Sequence, residues 1–283
     1  MAGRAAPTAR RTRLGAELRK LRERAGMTTT QAAALLGTSS GQLSNMEVAR
    51  FGVSPERVRV AAGAYSCTDQ ALIEALVAMT GDRRRGWWEE YRGILPPRLL
   101  DLAEIEHHGT GLRAAHGMHI PGLLQTVDHA REIHRQAVPE LSPPEIEHRV
   151  SYRVKRQNVL YRPKAVPYRA VIHEAALRMR FGGPAVTRAQ LRHLLEVGER
   201  DHVTIRVIPF TATNYPGSGQ SVYYVHGPVP GLDTAQLDQS HGPVFIDSAA
   251  QLAQYRLLFE RLDAAALEPD RSRDLIHAIA QEL

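Results

Sequence analysis

The sequence predicts an all-α N-terminal helix-turn-helix domain of about five helices, followed by an α+β domain with a small sheet. Three observations predict it. The first is the run Thr28–Glu47, in which two short helical segments are joined at Gly37. The second is charge. Residues 1–66 hold eleven Lys and Arg against four Asp and Glu, a net of +7, while the whole chain nets +6, leaving residues 67–283 at −1. The third is a change of pattern beyond about Leu99, where alternating segments such as Val203–Ile208 join the helical ones.

The elements follow in order. Residues 1–12 are small, basic and aperiodic, and read as a disordered tail. A helix is predicted from about Arg13 to Ala25, with Leu14, Leu18, Leu21 and Ala25 on one face and Gly26 as its stop. Thr28 caps a second helix running through Ala32, Ala33, Leu35 and Leu36. Gly37 supplies the positive φ that the tight turn requires. In the third helix Leu43 and Met46 are spaced for burial, and Ser39, Ser40, Gln42, Ser44 and Asn45 are left for the opposite face. Ser54-Pro55-Glu56 sets a cap and a first-turn proline before Val58, Ala61, Ala62 and Tyr65. A fifth helix begins after Thr68 and uses Leu72, Leu76 and Met79, closing a domain over residues 13–80.

Residues 81–98 read as a linker. A polar break from Gly81 to Gly86 precedes Trp87 and Trp88, the two tryptophans of the chain, and Tyr91. Such side chains are expected to bury against one domain and fix the placement of the two. Residues 99–283 form the α+β domain. Helices are predicted at about 99–108, at 121–137, at 143–160 behind Ser142-Pro143-Pro144-Glu145, and at Thr187–Arg200. Strands are predicted at Tyr168–Ile172, Val203–Ile208, Ser221–His226 and Pro243–Asp247. Ser248 caps a helix to Leu267, and a last helix starts near Pro269, so that helices cluster at both ends of the sheet.

Composition narrows the class. With 43% hydrophobic and 23% charged residues in 283, the chain has the balance of a soluble globular protein with room for two domains. No run approaches 18 apolar residues, and the N-terminus lacks the apolar core of a secretory signal. The single cysteine, Cys67, excludes an intramolecular disulfide and fits a reducing cytoplasm, where it reads as a half-buried small residue. A cytoplasmic, nucleoid-associated location is expected.

The concentration of positive charge beside the motif is the footprint of a phosphate-binding module. Double-stranded DNA is therefore the expected partner. Ser39, Ser40, Gln42, Ser44 and Asn45 are the short polar side chains that read base edges in a major groove. Arg11, Arg13, Thr28, Thr29 and Arg50 are expected at phosphates, Thr28 and Thr29 through the amides that open the second helix. Ala33, Gly37, Leu43 and Met46 are structural, and Glu47 is expected to pair with an arginine such as Arg50. Proteins of this kind bind as dimers to half-sites one helical turn apart, so a homodimer is expected.

Arg19–Gly26, the motif and Ser54-Pro55-Glu56 together resemble the lambda-repressor/Xre class of helix-turn-helix transcriptional regulators. Further marks are Arg85–Trp88, Ile120–Thr126, Ser142–Val150, His173–Leu177, Val203–Phe210 and Tyr255–Leu262. Through them nearly the whole chain resembles an actinobacterial subfamily with a C-terminal domain of undefined function. That resemblance implies transcription regulation, often as an antitoxin-like component paired with a small separate protein. It also implies that His173-Glu174 is a structural mark rather than a general-base pair.

The rival reading is a small-molecule sensor or enzyme-like C-terminal domain addressed to DNA by the N-terminal module. His107, His108, His116 and His119 are close in sequence, but no cysteine or H-E-x-x-H frame accompanies them, so no metal is expected. Gly217-Ser218-Gly219 lacks the frame of a nucleophile elbow. No G-x-x-x-x-G-K-S/T or G-x-G-x-x-G occurs, so no cofactor is expected, and the chain is not expected to be an enzyme. A ligand or partner pocket is expected at the Asn214–Gln220 and Gly227–Gly231 loops, and a pure docking surface is the third possibility.

Overall fold

Caps and glycines set the boundaries of the first five helices. The computed structural model describes residues 7–80, 86–217, 219–239 and 242–283. Residues 1–6 of the expected tail, residues 81–85 of the expected break and of the Arg85–Trp88 mark, and Ser218 of the Gly217–Gly219 loop lie outside the described residues. Contacts group the chain into two units. One runs up to Arg92 and includes Pro96–Ile105; the other takes Gly93–Leu95 and everything from Glu106.

In the first unit, α1 spans Ala9–Arg24. It starts four residues before the expected Arg13, because Thr8 Oγ1 accepts from the Arg11 amide at 3.3 Å and the Ala9 amide donates to Asp101 Oδ1 at 2.8 Å. Residues 9–12, expected as tail, are thus helix. α2 (Thr29–Leu35) and α3 (Ser40–Glu47) each open with a capping box, Thr28 with Gln31 and Ser39 with Gln42. Gly26 and Gly37 follow α1 and α2 at φ +69° and +60°, the left-handed stop that only glycine adopts without strain. α4 (Pro55–Ala64) and α5 (Gln70–Ala78) are capped by Ser54 and Asp69.

The core of this unit is Leu18, Ala32, Leu43, Val58, Ala62 and Leu76, none more than 2% exposed. Leu35 faces outward at 58%, so in α2 the adjacent Leu36 supplies the apolar contact. A Cβ at Gly15 would collide with the Glu47 carbonyl oxygen, so α1 meets the end of α3 backbone to backbone. The helical turn Trp87–Tyr91, expected in a linker, groups with this unit, as do residues of α6 (Pro97–His108) up to Ile105. Trp88 and Tyr91 are buried, and Trp87 meets them edge-on at 6.0 and 6.1 Å. A Cβ at Gly86 would overlap the Trp88 ring, which is why a glycine precedes the tryptophan pair.

The second unit is built on a six-stranded sheet of order β3-β2-β1-β4-β5-β6. The strands are β1 (Gly111–His116), β2 (Tyr168–His173), β3 (Val203–Ile208), β4 (Val222–His226), β5 (Thr234–Gln239) and β6 (Gly242–Ile246). β1, β2 and β3 are parallel, and β4, β5 and β6 continue as an antiparallel meander. Parallel pairing needs helical crossovers. α7 (Val127–Arg135) and α8 (Pro143–Gln157) link β1 to β2, and α9 (Glu174–Arg178) and α10 (Gly183–Val197) link β2 to β3. The predicted 121–137 helix is therefore corrected to a short turn at Gly122–Leu124 followed by α7, because Thr126 caps the helix at the His129 amide. α10 opens four residues before Thr187, where Gly182 and Gly183 take φ +75° and +87°.

α11 (Ala249–Ala265) lays Leu252, Phe259 and Leu262 on a core of Val171, Ile208, Val222 and Tyr224. α12 (Pro269–Gln281) covers the β3 edge, where Ser272 Oγ accepts from the Val207 amide at 2.9 Å. Among the described residues no helix is long and apolar enough to cross a membrane.

Candidate nucleic-acid interface

In the first unit the side chains of α3 are sorted by face. Leu43, Met46 and Glu47 are buried. Ser39, Gln42 and Ser44 are exposed, and Ser40 and Asn45 are half-exposed. The five expected base-reading residues therefore share the open side of the helix. Gln42 Oε1 accepts from Thr38 Oγ1 at 2.6 Å and from the Ser39 amide at 3.5 Å, which positions the amide group at the helix start. Asn45 Oδ1 accepts from Arg50 Nη1 at 3.3 Å, so the expected phosphate ligand Arg50 lies across an expected base reader.

The other expected phosphate residues divide. Arg11 is exposed on the first turn of α1, and its guanidinium lies near Gly52, 3.9 Å from where a Cβ there would sit. Thr28 is exposed and Thr29 half-exposed at the start of α2, where Thr28 Oγ1 accepts from the Gln31 amide at 3.3 Å. Arg13 does not share this exposure. Its side chain is 10% exposed and donates to Glu17 Oε1 at 2.7 Å, so it belongs to the packing of α1.

Glu47 pairs with an arginine, as expected, but one on another helix. It pairs not with Arg50 but with Arg22 of α1, whose Nε and Nη2 donate to its two carboxylate oxygens at 2.6 and 3.0 Å. The side chains are 7% and 6% exposed. Arg22 Nη1 also donates to the Met27 carbonyl at 2.7 Å, tying the pair to the turn before α2. The hydrogen bond to Glu47 raises the pKa of Arg22 above its ordinary value, and burial, with a lesser contribution from Glu47, raises that of the Tyr65 hydroxyl. This pair was missed in the sequence, although a signal was present: Glu47 falls at i+4 from Leu43 and i+1 from Met46, on the buried face.

The net charge of +7 is thus partly internal. Three of its four carboxylates, Glu17, Glu23 and Glu47, are held by cations of α1. Arg11, Arg24, Arg50 and Arg57 carry no ion pair among the described residues and leave the outward positive charge near α1, α3 and α4.

In the second unit, His173 Nδ1 accepts from the Ala175 amide at 3.2 Å and caps α9. Glu174 accepts from the Phe210 amide at 2.8 Å and from Arg178 at 2.7 Å. Both side chains of that dyad are engaged in holding the β2–α9 turn and the segment after β3.

A family model described as a helix-turn-helix domain matches residues 13–76, and one described as a domain of unknown function (DUF5753) matches residues 99–278. Neither the curated proteins nor the solved structures contain a match to the chain.

Proposed function

The chain belongs to the DUF5753 family, and from that membership and its helix-turn-helix domain we propose a sequence-specific DNA-binding transcriptional regulator. The observation that carries the reading is α3 itself: a helix opened by Ser39, buried through Leu43 and Met46, with Gln42, Ser44 and Asn45 outward. In this reading Gln42 and Asn45 make bidentate contacts to adenine, and Ser39, Ser40 and Ser44 add single hydrogen bonds. The Thr29 amide and Arg11 hold phosphates, and Arg50 exchanges Asn45 for a phosphate when DNA arrives. The regulator is of the Xre type of the actinobacterial, antitoxin-like subfamily. It works at the nucleoid in the cytoplasm as a homodimer, has no catalytic role, and uses its second unit for dimerisation and for an effector or a small partner protein.

The test is selection of bound DNA from a random pool with the full chain, followed by two substitutions. Gln42→Ala is expected to cost about 1–3 kcal/mol on the selected site and to relax preference at one base position. Equal losses on selected and random DNA would remove Gln42 from the readout. Arg11→Ala is expected to weaken binding to all sequences alike and to lower the slope of log K against log salt by about 1. Arg13→Ala, which breaks an internal contact to Glu17, is expected to leave that slope unchanged. A slope change with Arg13 and none with Arg11 would reverse their roles.

A further inference from the structure

Two arginines one helical turn apart on α8 are treated differently. Arg156 donates Nε to Glu106 Oε2 at 2.8 Å in a buried bidentate pair. Arg153 donates Nη1 to a neutral amide, Gln125 Oε1, at 2.6 Å, its Nε is enclosed without a partner, and it makes no ion pair among the described residues. The carboxylates that act on it do so from beyond ion-pair distance: Glu106 is paired with Arg156, and the exposed Asp238 accepts from the Gln236 side-chain amide at 2.7 Å. Burial, reinforced by the charge of Arg156, lowers the Arg153 pKa to about 10. A guanidinium with an enclosed, unpartnered Nε and no carboxylate in ion-pair contact is costly, and native proteins supply a counter-charge.

The groups around Arg153 point the same way. His129 of α7 is 1% exposed, and neither ring nitrogen has a partner. His116 at the end of β1 has an enclosed, unpartnered Nδ1. His119 stacks on Phe181 at 5.3 Å, and His129 meets the same ring edge-on at 5.8 Å. Burial first, with the charges of His119 and Arg153 adding, lowers both His116 and His129 to about 4. These imidazoles are therefore neutral at pH 7, each with one N–H to donate. The group lies at the carboxyl end of β1, in the parallel part of the sheet, where α/β folds hold ligands. A cation is disfavoured by Arg153, and among the described residues no three His, Cys, Asp or Glu side chains converge as metal ligands.

We propose that the second unit binds a small oxyanion at Arg153, with His116 and His129 as further donors and the Phe181 ring as one wall. The guanidinium edge matches a carboxylate or a phosphate group, and the anion supplies the missing counter-charge. The site names the effector class of the proposed regulator and rests on that reading only for its consequence.

Calorimetric titration of the full chain without DNA, using inorganic phosphate and benzoate as probes, tests it. Saturable one-to-one binding of either probe is expected, phosphate alone marking a phosphate site and benzoate alone a carboxylate site beside a ring. Arg153→Met is expected to weaken that binding at least tenfold and Arg153→Lys several-fold. Binding of neither probe, or equal binding by wild type and Arg153→Met, overturns the proposal. Should Arg153→Met fail to fold, His129→Phe decides: tenfold weaker binding supports the site, unchanged binding refutes it. Failure here leaves DNA binding untouched, whereas failure of the same preparation to select DNA counts against the regulator reading.

Discussion

Glu47→Ala is expected to destabilise the first unit by about 3–5 kcal/mol and to abolish DNA binding with it. The substitution leaves Arg22 buried, with its hydrogen bonds from Nε and Nη2 lost, one remaining bond to the Met27 carbonyl and only the half-exposed Glu23 carboxylate 3.7 Å from Nη2. A domain of this size has about 5–15 kcal/mol of stability in all, so the loss is a large share. The pair joins α1 to the last turn of α3, beside the point where Gly15 brings the two backbones together. Breaking it frees the end of α3 while its start stays capped by Ser39. Arg22→Met with Glu47→Met removes both charges and is expected to recover most of the stability, because a well-packed apolar pair replaces a buried ion pair at little cost. Urea unfolding followed by tryptophan fluorescence reads this, since Trp88 is buried in the same unit. A double variant no more stable than Glu47→Ala would show that the ion pair supplies something its volume does not.

How much of this was legible in the sequence follows from the range of each interaction. The helix-turn-helix is written in local signals: caps at Thr28 and Ser54, positive-φ glycines at 26 and 37, and apolar spacing of three and four. Each acts within one turn of chain, and each is found where expected. β1 and β5 gave no such signal. Gly111-Leu-Arg-Ala-Ala-His116 contains no β-branched residue, and its burial on both faces removes the alternation that marks a strand. Thr234-Ala-Gln-Leu-Asp-Gln239 is mostly polar and takes its place by pairing with β4 and β6. Missing β1 hid its parallel pairing with β2 and the crossover between them, and missing β5 left the antiparallel meander incomplete.

The same limit applies to the sites. The open face of α3 followed from spacing, whereas the demotion of Arg13 required knowing which way its side chain turns. His116 and His119 stood out as neighbours, but His129 and Arg153 join them only because α7 and α8 pack together at the end of β1. Nothing local in the sequence marks Arg153 as different from Arg156.

Glu106→Ala is expected to destabilise the second unit by about 3–5 kcal/mol, toward the upper end of that range. Glu106 is 2% exposed and holds Arg156 through two hydrogen bonds, so its loss strands a guanidinium that has no other hydrogen-bond partner among the described residues. Arg153 stands one turn away on α8, where burial first and the charge of Arg156 second lower its pKa. Without Glu106 the carboxylate that still acts on Arg153 is Asp238, which is exposed and bonded to Gln236. Removing Arg156 as well, in Glu106→Ala with Arg156→Met, takes away the stranded charge and is expected to return much of the loss. Far-UV circular dichroism through a urea gradient measures it, because most of the chain's strand and helix content lies in this unit. The anion proposed at Arg153 adds a sharper readout. If it supplies counter-charge to this region, saturating phosphate or benzoate raises the unfolding midpoint of Glu106→Ala more than that of the wild type. Equal shifts in both would separate the two arginines energetically, and would confine any bound anion to Arg153 alone.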